Sequence, residues 1–525
     1  MINFATYRNI SIVLVALFIA SFHIFVSFPK SDQYSSGADE GVYYRQAKQI
    51  QINGIHGFKS VAQGYLQDKS SHIFPPPLRL LPLTLDAVAL SVSDSFTSLS
   101  FLSLLCFILL CLISYYYIAD IWDSDLAVIA VVLLCFSPLC GAMAKRALID
   151  SLTCLVMAFS LFSFIACIVH KTSRHFVLFG FSLLLLQLMR ETGFLVYPFY
   201  FAALLYLKYR NDLEIDIHKI LLCFILPMAA LGVIYQLTYG LVNAYRIYEA
   251  IYLDILTQPL EYAINYMSGP WYRYLVDFMI LSPVTILLAY MYCGHYILRK
   301  AYDIRINLLL CFSFYTILVY AFLPMSVRYV SILDIVIRIL AALAVLALVS
   351  AFIPNQAKKI VITAIIILIL MGIDFRSFNK HFVTNNTYDP VSYNLLYAEK
   401  FVPTMAPQPP APLSAKSSNP VSENNRNTAA SFLNKSLACY REGNFQGSID
   451  AARKALEADP DSSEAYNNIC AAYNELRQWE KAIEAGEQAV KLNPANQLAK
   501  NNLAWAKQQQ AISGDSGERM MAGKE

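Results

Sequence analysis

The sequence predicts an all-α protein: a polytopic transmembrane helix bundle followed by a small α-solenoid. Three observations predict it. Of 525 residues, 57% are apolar or aromatic and 15% are charged, against roughly a quarter charged in a soluble protein. The mean hydropathy of +0.47 averages two unlike parts, because the chain is greasy as far as Asp374 and polar beyond it. The polar part repeats itself at a helical-repeat period. This composition excludes a soluble enzyme, and a net charge of +3 on scattered basic residues excludes a nucleic-acid surface.

The first apolar run, residues 10–28, is as long as a bilayer-spanning helix requires, and no small-residue cleavage site follows it. An uncleaved span is expected there. Further runs at 99–118, 126–144, 151–169, 176–189, 192–207, 220–239, 278–298, 306–323, 335–353 and 360–373 bring the expected count to about eleven. Within 176–207 the pair Arg190-Glu191 interrupts a stretch that is long for one span and short for two. Loop charge resolves it. Two spans place His170 to Arg174, the Lys208, Arg210 and Lys219 loop, Arg299, Lys300 and Arg305, and Lys358 with Lys359 on one side, and short basic loops face the cytoplasm.

That topology puts the opposite set of loops outside: residues 29–98, Lys145 to Asp150, Arg190-Glu191, 243–277 and 324–334. An odd number of spans also carries the C-terminal tail outside, into a bacterial periplasm or its equivalent. Ionisable residues at membrane depth are expensive and mark function. Asp39, Glu40, Lys145, Arg146, Asp150, Arg190, Glu191, Arg328, Asp334 and Arg338 all fall at the outer boundary, which predicts a polar site facing outward.

In the tail, Gly443-Asn444-Phe445 and Arg477-Gln478-Trp479 occupy equivalent places 34 residues apart, as do Ala455 and Ala489, and Pro460 and Pro494. Small residues where two helices cross, with a proline closing each unit, form the tetratricopeptide pattern. Two repeats are expected, starting near Ala429 and at Ser463, with a capping helix from Gln497 to Gln510. The expected domains are 1–374, an extracytoplasmic segment and Pro/Ser/Asn-rich linker over 375–428, the repeats over 429–512, and a disordered end over 513–525. Nine of the eleven cysteines lie inside expected spans, where they act as small apolar residues, and no C-x-x-C spacing suggests zinc or redox chemistry. Cys439 and Cys470 fall at positions usually packed inward and are read as buried thiols, with a disulfide between them allowed if the tail is periplasmic.

The first outer loop carries Gly37-Ala38-Asp39-Glu40-Gly41-Val42-Tyr43-Tyr44 and, later, Phe74-Pro75-Pro76-Pro77-Leu78-Arg79. Asp39 suits a helix N-cap, and Glu40 the first turn. A first transmembrane helix followed by an Asp-Glu pair, a Pro-Pro-Leu element and many spans also resembles the GT-C glycosyltransferases, in particular protein O-mannosyltransferases and lipid A aminoarabinose transferases. The resemblance covers roughly residues 8–374. It extends to Asp150 in Arg146-Ala147-Leu148-Ile149-Asp150, which resembles the family's second acidic position, and to Arg190-Glu191-Thr192-Gly193, Gly269-Pro270-Trp271-Tyr272 and Arg328-Tyr329. One departure stands out: the basic residue preceding Pro-Pro is absent, leaving Arg79, Lys69 or His72 to replace it.

The resemblance implies transfer of a sugar from a polyprenyl-phosphate donor to a protein, lipid or glycan acceptor on the extracytoplasmic face, with inversion. Asp39 would then be the general base, with Glu40 and Asp150 as further catalytic acids. Asp150 is also open to capping the helix that starts at Ser151, to holding the acceptor or to binding a metal. A divalent metal is thus possible, and no other cofactor is expected. Arg79, Arg146, Arg190 and Arg328, with Tyr329, are the candidates for holding the donor phosphate, since guanidinium groups grip it bidentately. Asp334 and Arg338, four apart on a helix, are expected to neutralise each other. No nucleotide-binding glycine loop is present. Two other classes fit many spans plus tetratricopeptide repeats: an O-antigen ligase or polymerase, and a non-catalytic scaffold. The Arg-poor loop 243–277 counts against the first, the intact acidic pair against the second.

Overall fold

The computed structural model describes residues 4–30, 34, 39–67, 75–210, 217–257, 267, 269–300, 302–384, 423–441, 444–493, 496, 498–507 and 509–510. Among them every regular element is helical. The chain divides into two compact units, Met1–Pro407 and Gln408–Glu525.

All eleven predicted apolar runs are helical in the first unit, yet fewer than eleven are full-length spans. Among the described residues six helices are long and apolar enough to cross a bilayer: Arg8–Val26, Phe96–Ile121, Asp150–His170, His218–Thr238, Ile332–Phe352 and Gln356–Thr384. A seventh is counted if Ser124–Cys135 and Pro138–Ala144, bent by 59°, form one broken span. The break has a local cause. Pro138 lacks the amide that would continue the preceding helix, and the Ser137 hydroxyl instead accepts from the Cys140 amide and starts a new one. Pro283 splits the run expected at 278–298 as well, into Arg273–Leu281 and Pro283–Leu298, here without a cap bond from Ser282. The runs at 176–189, 192–207 and 306–323 become Ser173–Met189, a 3-10 turn Gly193–Val196 leading into Tyr197–Tyr209, and Ile304–Tyr320, each 17 residues or fewer.

The segment 29–98 is not a plain outer loop. After α1 (Phe4–Val26) it holds three helices, α2 (Asp39–Asn53), α3 (Ile55–Gln67) and an apolar α4 (Leu80–Val92) that buries Leu80, Leu83 and Leu90. Gly57 permits α2 and α3 to meet, because a Cβ there would lie 2.6 Å from the Gln49 carbonyl oxygen.

Burial ranks the spans. Asp150–His170 is 83% buried and Ile332–Phe352 72%, against 11% for Gln356–Thr384, so the first two form the centre and the last lies at the edge. Ala158, Ser160, Ser163 and Ala166 keep the central helix slim, and close backbone approach is what holds helices together in lipid. The expected Asp334–Arg338 pair forms, with the Arg338 Nη2 3.1 Å from Asp334 Oδ1. It lies inside the bundle rather than at the outer boundary. Arg338 also bonds Asp374 and, at 2.8 Å, Ser282 Oγ, while Ser137 donates to Asp334. Two carboxylates and the Ser282 hydroxyl thus surround one buried guanidinium, with Ser137 holding one of the carboxylates, and removing a partner from such a buried pair costs about 3–5 kcal/mol.

In the second unit, helix pairs Glu423–Arg441 with Phe445–Ala458 and Ser463–Glu475 with Trp479–Leu492 form the two repeats, the first beginning ahead of the expected Ala429. Ala452, Ala455, Ala482, Ala485 and Ala489 are buried where the helices cross. Residues 498–507 are helical as expected of a cap, and Leu503 packs so close to Gly486 that a Cβ there would lie 3.0 Å from the Leu503 Cβ. Cys439 and Cys470 are free thiols; Cys470 is buried as expected, whereas Cys439 is half-buried. Most of the linker, residues 385–422, and the end beyond 510 lie outside the described residues.

Candidate active site

Helix direction gathers the polar groups at one end of the membrane unit. The helix Asp150–His170 starts at Asp150 and ends at the basic loop His170 to Arg174; Ser173–Met189 runs back and delivers Arg190 and Glu191 beside that start. Ile304–Tyr320 begins beside Arg305 and leads to a 3-10 turn, Val327–Val330, carrying Arg328 and Tyr329. From that turn Ile332–Phe352 descends again toward Lys358 and Lys359. The acidic α2 start and the Arg79 segment complete the cluster. Gly193 closes the Arg190-Glu191 turn, since a Cβ there would fall 2.2 Å from the Leu186 carbonyl oxygen.

Three ion pairs organise the cluster. Arg146 donates from Nε and Nη2 to the two oxygens of Glu40 at 2.9 and 2.8 Å, and the Ala147 amide donates to the same carboxylate at 3.2 Å. Glu40 is fully buried. Both its oxygens are engaged, which suits a counter-ion that holds α2 to the Lys145–Asp150 turn. The second pair is Arg79 with Glu191, bidentate at 2.8 and 2.5 Å, and Arg79 also donates to the Tyr43 hydroxyl. Burial works to raise the Glu191 carboxyl, and Arg79 overrides it, holding it below its ordinary range. Burial likewise pushes the Tyr43 phenol far above its ordinary value, so it stays protonated.

The third grouping differs because one member is open to solvent. Arg328 Nη1 lies 3.0 Å from Asp150 Oδ2, and its Nη2 lies 4.0 Å from Asp39 Oδ2. The Asp150 side chain is 8% exposed and the Asp39 side chain 42%. Asp39 is the first residue of α2. Asp150 begins its helix without a side-chain cap bond, the cap position being Ile149, so it serves Arg328 and not the helix terminus. Beside this trio Arg190 stacks 4.2 Å from the Tyr329 ring centroid, with Arg328 5.7 Å from the same ring. Arg190 Nε is 4.0 Å from Glu191 and, among the described residues, makes no hydrogen bond.

As placed, Asp39 and Asp150 do not fit a divalent metal. The Arg328 guanidinium stands against both carboxylates and supplies the positive charge at the position an ion would need. Lys145, nearby in sequence, donates to the Phe382 carbonyl at 2.5 Å. Burial, with Arg146 adding to it, pushes its ammonium down to about 8 against the pull of Glu40.

The structure therefore brings together Asp39, Asp150, Arg190, Arg328 and Tyr329, and ties Glu40, Arg146 and Arg79 into buried pairs. Lys69 and His72, the other candidates for the missing basic residue, lie outside the described residues. The sequence reading missed Tyr43 as the partner of Arg79, although its place four residues after Asp39 puts it on the same face of α2. It also missed the buried pair Arg273 and Asp277, 3.9 Å apart at the start of Arg273–Leu281.

No protein-family model matches the chain. Among solved structures it is similar to the apo oligosaccharyltransferase of Archaeoglobus fulgidus, with a TM-score of 0.51 and 14% identity, over 72% of this chain and 56% of that one. The chain thus spans little more than half the length of that protein, and the likeness is one of fold. A stretch of 94 residues, 18% of this chain, is 31% identical to the small glutamine-rich tetratricopeptide repeat-containing protein 2 of Mycosarcoma maydis, covering 27% of that protein. The chain is a multi-pass membrane protein whose helical fold is like that of the archaeal enzyme, and it carries a tetratricopeptide element.

Proposed function

We propose that the protein is a membrane glycosyltransferase that moves a sugar from a polyprenyl-phosphate donor to an acceptor on the extracytoplasmic face, with inversion. The observation that carries this reading is one half-exposed carboxylate, Asp39, beside two guanidinium groups, Arg328 and Arg190, that flank Tyr329. The fold likeness to an oligosaccharyltransferase supports the same class.

The residue types divide the reaction between them. Asp39 takes the proton from the acceptor hydroxyl or amide as that group attacks the anomeric carbon. The bond from that carbon to the phosphate oxygen breaks, and the lipid phosphate leaves with the electron pair. Arg190, which has no carboxylate in hydrogen-bond range, meets the charge that develops on the leaving group. Arg328 orients Asp39 and is itself oriented by Asp150. The basic loops at the far ends of the helices support an extracytoplasmic position for this chemistry. The tetratricopeptide repeats, a concave module suited to a peptide segment, would capture the acceptor or a partner protein.

The test is incubation of membranes containing the protein with a panel of radiolabelled polyprenyl-phosphate sugars. Transfer of label by the wild type and not by D39N is expected. Failure of the folded wild type to transfer any of them to endogenous acceptors would overturn the reading and leave a scaffold role.

A further inference from the structure

At the opposite end of the bundle three side chains from three helices converge for which the proposed reaction has no use. Asp120 lies in the last turn of Phe96–Ile121, His170 ends Asp150–His170, and His175 lies in the first turn of Ser173–Met189. Their ligand atoms all lie within 4.8 Å of one another, and this is the one group of three such residues among the described residues. We propose that Asp120, His170 and His175 form a binding site for a divalent transition-metal ion of the Zn2+ or Co2+ class.

The donor set is two imidazoles and one carboxylate, which favours borderline transition ions over Mg2+ or Ca2+, whose sites are built from oxygen. His170 Nε2 and Asp120 Oδ2 already face each other at 2.8 Å. Bond lengths of about 2.0–2.2 Å to a tetrahedral ion set its ligand atoms about 3.3 Å apart. The ion therefore replaces the hydrogen of this contact with a small opening of the pair. Lys171, at φ 55°, turns the chain back sharply after the helix, and the two imidazole rings stack with centroids 4.8 Å apart. His175 then has to close the remaining gap by up to about 1.5 Å.

A second observation is independent of that spacing. The Thr172 hydroxyl holds His175 through Nδ1 at 2.6 Å, which leaves Nε2 as the nitrogen available to an ion. A metal-ligating histidine is held through its other ring nitrogen in just this manner. Two helix C-termini, at Ile121 and His170, also direct the negative ends of their dipoles toward the position. Lys171 and Arg174 oppose a cation from the same loop. Both are exposed, so solvent screens them, while the ligands are direct contacts. With three protein ligands the ion keeps a fourth position for water, and it joins the ends of three helices, two of which already meet through the His170–Asp120 contact.

The test uses the full chain purified in detergent on a histidine-free tag, stripped with chelator and titrated with Co2+ alone. One equivalent per chain with the visible absorption of a tetrahedral nitrogen–oxygen site is expected, displaced by Zn2+. H170A and H175Q should each weaken binding by at least about 100-fold and T172A by about 10-fold. D120N retains a hydrogen-bonding partner for His170 and so keeps the fold while losing the charged ligand. Absence of stoichiometric Co2+ binding by the wild type, or binding that survives both H175Q and D120N, would overturn the site.

Discussion

Arg328 stands between two carboxylates of unequal exposure, 3.0 Å from the buried Asp150 and 4.0 Å from the half-exposed Asp39. One pairing anchors the guanidinium, and the other leaves a carboxylate within its field that substrate can still reach. The consequences are open to measurement.

Asp39→Asn retains the shape and much of the hydrogen bonding of the side chain but removes its basicity. Transfer should fall by about 10²-fold or more, with unchanged abundance and melting temperature, because the exposed side chain lies at the weak end of the Arg328 contact. Equal transfer rates in the two proteins would remove Asp39 as the base.

Arg190→Ala should lower transfer by about 10²- to 10³-fold, the scale of losing one positioned electrostatic contact to a transition state. The melting temperature should hardly change. Arg190 stacks on Tyr329 without a hydrogen-bonded carboxylate, so its removal strands little charge. A large loss of stability with normal residual activity would make it a structural residue instead.

Glu191 links folding to pH. Its carboxyl is held below its ordinary value of 4.5 by Arg79 against the cost of burial, so its contribution to stability is complete above 4.5 and is lost as pH falls through the folded-state value. Thermal scans in detergent should show the melting temperature dropping below about pH 4.5. Glu191→Gln should flatten that drop while costing about 3–5 kcal/mol at neutral pH, since Arg79 is left buried and unpaired. An unchanged acid limb in E191Q would show that other carboxylates set it.

Opposed helix ends predict opposed labelling. A cysteine at the exposed Ser93, which precedes Phe96–Ile121 at the site end, should react with an impermeant thiol reagent applied to intact cells; one at the exposed Lys358 should not. The reverse pattern would place the site on the cytoplasmic side.

Truncation after Lys400 should leave a membrane unit that binds polyprenyl-phosphate sugar, because the residues assigned to the donor all precede that point. Transfer to the natural acceptor should fall if the repeats capture it. Donor binding and transfer measured together separate the outcomes: unchanged transfer means the repeats recruit something else, and lost donor binding means the tail supports the fold.

Much of the architecture was legible without coordinates, and each part for a local reason. Apolar runs mark membrane helices because lipid offers backbone amides no partner, and a 34-residue period marks helix pairs because small residues must recur where they cross. The bent pair at Ser137-Pro138 and the buried helix Leu80–Val92 escaped. Window hydropathy does not see a proline break, and a largely apolar helix of thirteen residues does not reach the length of a span.

The site divides in the same way. That Asp39, Glu40, Lys145, Arg146, Asp150, Arg190, Glu191 and Arg328 gather at one end of the bundle followed from the order of the apolar runs and the loop charges, since ionised groups are excluded from hydrocarbon wherever the chain permits, whereas Asp334 and Arg338, expected in the same set, are buried inside. Their pairing did not. Glu40 belongs to Arg146, 106 residues away, Glu191 to Arg79 across 112, and Asp150 to Arg328 across 178. No local pattern encodes such partners. They are selected when the helix ends come together, because a buried charge must find an opposite one nearby. Only the packing of α2 against the turns at Arg146, Arg190 and Arg328 decided which carboxylate was consumed as a counter-ion and which, at Asp39, was left open to solvent.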